Sequence, residues 1–197
     1  VIDVLADSHR FVQVFPMSAW IFTNRFRPTV LLMLISICVW IMSIHGSYIT
    51  IDTPWLVADN RILQTTSLDT IQTIWTDFTI GTRLALGAEY LPVRDITVLL
   101  DYAVFGPDWR WHHAHSLFWY LLSCALLWHC SQILFGIHLW TWLGCLIFAL
   151  HPTHVESVVW LASRQDVVSL ALGLMGVLLY LHRRSMILIS CVLLLSY

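Results

Sequence analysis

Between Pro28 and His45 the chain reads TVLLMLISICVWIMSI, with no ionisable side chain inside the run. A helix of about 20 mostly apolar residues is what crosses the hydrocarbon core of a bilayer. In that core every backbone polar group must be satisfied internally, so a run of this kind folds as a helix. Further runs cover about Ser116–Phe135, the shorter stretch Ile137–Leu150, about Val167–Leu181, and Met186 to the end of the chain. The expectation is an all-α integral membrane protein with about five transmembrane helices, the membrane domain occupying 28–197.

Composition agrees. The chain is 58% hydrophobic and 11% charged, against about 25% charged residues in soluble domains. The net charge of -2 leaves no basic surface to neutralise phosphates, which argues against a nucleic-acid partner. The partner it does imply is the lipid bilayer. All ten basic residues are Arg. The five cysteines, Cys38, Cys124, Cys130, Cys145 and Cys191, lie in or beside apolar runs without CxxC spacing, and read as small buried hydrophobes.

Arginine placement gives an orientation. Basic residues favour the cytoplasmic side. Arg10, Arg25 and Arg27 place the N-terminus there, and Arg183 and Arg184 place the turn after the fourth span there. Four helices between these points satisfy both. The first 27 residues then form a cytoplasmic segment with Phe11, Val14, Phe15, Ala19 and Phe22 at amphipathic-helix spacing. The stretch 46–115 becomes a long extracytoplasmic loop, periplasmic or luminal. Within it, Leu68, Ile71, Ile74, Trp75 and Phe78 share one helical face, and Ile96–Phe105 is too short to span. Long loops with their own helices often carry function.

The ionisable residues gather on that side. The third and fourth spans are joined by HPTHVESVVWLASRQD. Pro152 breaks the third helix, and Val155–Asp166 is expected to form one short helix with Glu156, Trp160 and Ser163 or Arg164 about a turn apart. Polar groups at membrane depth mark a cavity, a pairing network or a site. Asp52 is a candidate general base, or else the cap of the turn at Thr53-Pro54. Arg164 could hold a phosphate, or else pair with Asp166 or Glu156. His151, His154 and Glu156 are of metal-ligand type, but histidines three apart across a proline break are not a helix-face pair, so no metal is expected. His112, His113 and His115 beside Trp109 and Trp111 suit packing and anchoring in an interfacial aromatic belt. Nothing in the spacing singles out haem.

Three stretches, in order, resemble the N-terminal half of membrane glycosyltransferases of the C-type superfamily. They are most similar to the protein O-mannosyltransferase-like branch that carries tetratricopeptide repeats after the membrane domain. The first is ITIDTPWLVADN, similar to an Asp-Asp loop with an Asn several residues on. The second is YLPVRDITVLLDYAVFGPDWRWHH, similar to a Tyr-Arg-Pro-Leu segment that continues to Asp-Tyr-Ala-x-Phe-Gly and a His. The third, ALHPTHVESVVWLASRQDVVSLALGLMGVLLYL, is the most specific. The resemblance implies transfer of a sugar from a polyprenyl-phosphate donor to an acceptor on the extracytoplasmic side. It makes Asp52 the base and places His151, His154, Glu156, Arg164 and Asp166, with Arg94, at the donor phosphate. No other cofactor is implied.

The sequence departs from the pattern at Thr53, where the family has a second Asp, and at Leu91, where it has an Arg. Five spans are also half of such a membrane domain, and the chain opens at Val1 and stops at Tyr197 within an apolar run. Two readings follow: a larger transferase seen in part, or a catalytically inactive, reduced relative serving as an accessory subunit beside other membrane protein subunits. A transporter or channel has little support, because no span carries a charge in its middle.

Overall fold

A computed structural model describes residues 26–45 and 54–196. The expected amphipathic segment before Phe26 lies outside the described residues, as do Asp52 and Thr53. Every regular element among the described residues is helical. In chain order these are α1 (Phe26–Trp40), a 3-10 turn (Ile41–His45), a π-helical turn (Pro54–Ala58), α2 (Arg61–Gln64), α3 (Leu68–Thr76), α4 (Ile80–Ala85), α5 (Pro92–Phe105), α6 (Trp109–Phe135), α7 (Leu139–Leu150), α8 (His154–Val159), a 3-10 turn (Leu161–Ser163), α9 (Arg164–Leu181) and α10 (Met186–Leu195).

The protein is an all-α integral membrane protein. Three stretches are long and apolar enough to cross a bilayer: Phe26–His45, Trp109–Phe135 and Leu161–Leu181. Leu139–Leu150 and Met186–Leu195 are apolar but shorter. α1 illustrates the pattern. Leu32, Ser36 and Trp40 recur every four residues and are buried, while Val30, Leu34 and Val39 are exposed. A helix apolar all round that buries one stripe has lipid for its remaining solvent.

α6 is the axis. Its 27 residues span roughly 40 Å at 1.5 Å per residue, more than the ~30 Å hydrocarbon core. Asp108 starts it, its carboxylate accepting from the Arg110 amide at 3.1 Å. Gly136, at φ 84°, ends it in a conformation that favours glycine. α7 stops at Leu150 because Pro152 holds the residue before it extended, and His151 has φ -66° and ψ 129°.

Tryptophan indoles stitch the spans together. Trp128 Nε1 donates to Thr29 Oγ1 at 2.8 Å, and Trp142 Nε1 donates to the Pro28 carbonyl at 2.9 Å. Both fix the N-terminal turn of α1 to α6 and α7. At the other end, Trp40 Nε1 donates to the Ala149 carbonyl at 2.9 Å. Between them, Ser123 Oγ donates to the Val167 carbonyl at 3.1 Å, joining α6 to α9. Against lipid, such bonds and close packing replace the hydrophobic drive between helices. α10 returns alongside α9 through Gly176, where a Cβ would lie 2.6 Å from Leu193 Cδ2.

The linker from α7 to α9 differs from the expected single helix over Val155–Asp166. Trp160 turns extended at φ -85° and ψ 109°, ending α8. Its half-buried side chain then packs against the cluster that holds Leu56, Val98, Leu99 and Ala162. The break separates Glu156, which is exposed, from Arg164, which is completely buried. Burial of Leu161 and Ala162, with Trp160 half-buried, outweighs helical continuity.

Candidate functional site

α5 lies across one end of the bundle, against α6 and α9, with α2 and α3 packed on it. This loop end gathers the polar residues. Arg164 opens α9 with no exposed surface. A guanidinium stripped of water needs an anion and acceptors for its donors. Asp101 of α5 supplies the anion, its Oδ2 2.5 Å from Arg164 Nη1. Arg164 Nε donates to Ser116 Oγ at 2.9 Å and Nη2 to the His112 carbonyl at 2.8 Å. The other Asp101 oxygen meets His115 Nδ1 at 2.5 Å. His115 Nε2 in turn accepts from Trp119 Nε1 at 2.9 Å. These bonds fit the His115 tautomer that carries its proton on Nδ1. Three helices are therefore locked through one buried carboxylate.

His112 Nε2 lies 2.9 Å from the Gly106 carbonyl, and its Nδ1 lies 3.6 Å from Asp101 Oδ2. His113 is fully buried beside it, with no hydrogen-bond partner among the described residues for either ring nitrogen. Of the tryptophans beside them, Trp111 is exposed and stacked on Phe105 at 5.1 Å. His112 and His113 belong instead to the interior. Asp101 and Ser116 are the members of the network that sequence reasoning did not single out. An acidic residue at the end of an amphipathic helix reads as solvated, and only the tertiary fold brings Arg164 to it.

The module over α5 is fixed by two side chains. Asn60 uses its whole hydrogen-bonding capacity. Its oxygen accepts from the Ile62 and Leu63 amides, capping α2, and its amide donates to the Leu56 and Ala85 carbonyls. The Tyr102 hydroxyl donates to the Val57 carbonyl at 2.9 Å. Arg94 is also buried. Its Nη2 donates to Asp95 Oδ1 and to the Leu86 carbonyl, both at 2.7 Å. Burial holds the Asp95 carboxyl above the usual carboxylate range, against the lowering effect of Arg94.

The remaining expected site residues lie on the open face above this brace. His151 is exposed, its Nδ1 2.7 Å from Thr153 Oγ1. His154 is half-buried, its ring 4.6 Å from that of Phe148 and 5.3 Å from that of Tyr120. Burial lowers the pKa of His154 from the ordinary histidine value, and the neighbouring His151 adds to the effect. Glu156 is exposed, and Asp166 accepts from Ser157 Oγ at 3.0 Å. Among the described residues no three of His, Cys, Asp and Glu come together as a metal-holding group. The expected residues therefore fall in two layers. His151, His154, Glu156 and Asp166 are open or half-open, whereas Arg164 and Arg94 are enclosed in ion pairs. Asp52 lies outside the described residues, two positions before Pro54.

Comparison with known proteins agrees with the motifs. Over 144 residues, 69% of the chain, the sequence is 29% identical to the human protein O-mannosyl-transferase TMTC2. It is 28% identical to the mouse protein of that name over the same length, and 30% identical to tmtc2 of Xenopus laevis over 135 residues, 64% of the chain. The aligned part is 17% of the human protein's length and 16% of the Xenopus one. No family model matches the chain, and no solved structure does. The resemblance to the O-mannosyltransferase-like branch is borne out: this is a glycosyltransferase-like membrane protein.

Proposed function

We propose that this glycosyltransferase-like chain serves glycosyl transfer from a polyprenyl-phosphate sugar to a hydroxyl acceptor, at the loop end of its bundle. Arg27, Arg183 and Arg184 favour the cytoplasmic side, which supports an extracytoplasmic loop end. The observation that carries the reading is the two-layered arrangement. An open face bearing His151, His154, Glu156 and Asp166 accompanies a buried, ion-paired core of Asp101, Arg164, His115 and Ser116. Such a core keeps polar side chains in fixed positions, which is where an enzyme gains most of its rate.

In the proposed step the acceptor oxygen bonds to the anomeric carbon of the sugar while the bond from that carbon to the phosphate oxygen breaks. Asp52 takes the acceptor proton, and the polyprenyl phosphate departs with the electron pair. The imidazoles of His151 and His154 donate to the leaving phosphate. Arg164 and Arg94 act from behind, setting the helices that present this face.

The test is transfer of radiolabelled mannose from polyprenyl-phosphate mannose, using membranes that contain the full-length protein. Wild type transfers label and Asp52→Asn, expressed at equal level and equally stable, does not. Equal transfer by the two removes Asp52 from the mechanism.

A second reading, a non-catalytic membrane subunit, draws on one specific observation. Both arginines expected at the donor spend their guanidinium groups on internal partners. Thr53 and Leu91 point the same way. Absence of transfer, together with fixed-stoichiometry co-purification of other membrane chains, selects this reading.

A further inference from the structure

Two spans converge on a single carbonyl. Trp40 Nε1, at the last residue of α1, and the Tyr120 hydroxyl, in the middle of α6, both donate to the Ala149 oxygen at 2.9 Å. The donor side chains themselves meet edge to face, ring centroids 5.8 Å apart. Ala149 stands in the last turn of α7, where a carbonyl has no acceptor role left inside the helix. A carbonyl has two lone pairs, and here both are used.

The position of this node matters more than its strength. Trp40 leads directly into the Ile41–His45 turn, which packs on α6 and begins the route to the first loop. Ala149 is followed within two residues by His151, and within five by His154. Tyr120 reaches both sites. Its hydroxyl holds Ala149, and its ring is 5.3 Å from the ring of His154. Phe148, the residue before Ala149, closes on His154 from another side at 4.6 Å. One oxygen thus ties the exit of α1, the exit of α7 and the packing of His154 into one unit.

We propose that Trp40 and Tyr120 are positioning residues. By sharing the Ala149 carbonyl they set the register between the exit of α1 and the His151–His154 segment that follows α7. The inference rests on the transfer reading for its consequence in catalysis, but its geometric part stands apart from it. If the node only caps α7, its loss changes stability alone. If it sets register, its loss moves His154.

The experiment uses Tyr120→Phe, Trp40→Phe and the double variant in the full-length protein, each with two readouts. The first is the titration of His154, followed by NMR of labelled histidine in detergent micelles and assigned with His154→Gln. In wild type it lies below the ordinary value of about 6.5. Each single variant keeps one donor on Ala149, and so keeps the fold and moves the titration only partway upward. The double variant leaves the carbonyl bare and moves the titration further upward than either single variant, the contribution of His151 remaining. The second readout is mannosyl transfer, where kcat falls on the order of 10- to 100-fold in the double variant. The loss exceeds the product of the single effects, because only the double leaves the carbonyl unpaired. Unchanged His154 titration in all three variants overturns the proposal, whatever happens to melting or transfer. A shifted titration in a protein whose wild type transfers no sugar upholds the positioning and sinks the transferase reading alone. A double variant that does not fold leaves the two single variants to decide, since each must shift the titration in the same direction.

Discussion

Asp101 and Arg164 meet at 2.5 Å with neither side chain reaching water. One comes from a helix too short to span a membrane and the other opens a helix that belongs to a stretch long and apolar enough to cross one. The pair is the joint between the loop module and the bundle. A buried ion pair is costly to break from one side, because the remaining charge has no solvent. Asp101→Asn and Arg164→Met should each destabilise the protein by about 3–5 kcal/mol. Asp101→Leu combined with Arg164→Met should recover most of that loss. Thermal unfolding of the purified variants in one detergent checks this. A double variant as unstable as the sum of the singles would mean that the pair is not a unit.

Arg164→Lys tests geometry against charge. Lysine keeps the positive charge but cannot form the fork that reaches Asp101, Ser116 and the His112 carbonyl together. It should be destabilised nearly as much as Arg164→Met, and far more than a surface Arg→Lys change at Arg184. Equal melting of Arg164→Lys and wild type would reduce the network to a simple charge pair.

Asn60 satisfies two amides and two carbonyls from separate elements. Asn60→Ala loses the α2 cap, worth about 0.5–2 kcal/mol, and orphans two carbonyls besides. Proteolysis of the folded protein should become faster within the residues 54–90, with little change in the spans. Cleavage spread evenly over the chain would contradict a local role.

The pH dependence of stability has a defined sign at His154. Its folded pKa is depressed, chiefly by burial. The folded state therefore binds the proton less readily than the unfolded chain. The contribution is fully present above the ordinary value of about 6.5 and is lost as pH falls through the folded pKa. Asp95 runs the other way. Its folded pKa is raised by burial, so its contribution is present below the usual carboxylate value and is lost as pH rises through the folded one. Melting curves from pH 7 downward should show a decline that His154→Gln reduces. A decline identical in the variant would assign it to other groups.

Much of the fold was legible from the apolar runs alone. Their lengths and the arginines at their ends anticipate helices at α1, α6, α7, α9 and α10, because lipid permits little else. Pro152 correctly marks the end of α7. What was not legible depends on partners distant in sequence. Nothing in the LLDYAVF segment says that Asp101 will find Arg164, and nothing in a tryptophan says which carbonyl its indole will reach. The Val155–Asp166 segment has helical spacing, yet the chain turns extended at Trp160 and buries Leu161 and Ala162. The site residues of the second loop were legible as a cluster. Their separation into an open layer and a buried layer was not, since burial depends on where α5 lies.

The central claim is that the open face of His151, His154, Glu156 and Asp166 receives a polyprenyl-phosphate sugar. The most direct measurement is photo-crosslinking of the full-length protein with a polyprenyl phosphate carrying a photoreactive group beside the phosphate, followed by peptide mapping. The account predicts label concentrated in residues 151–166, competed by unlabelled polyprenyl-phosphate mannose and weakened in a variant with His151 and His154 both changed to Ala. Label spread along the lipid-facing helices without competition, or none at the loop end, would contradict it.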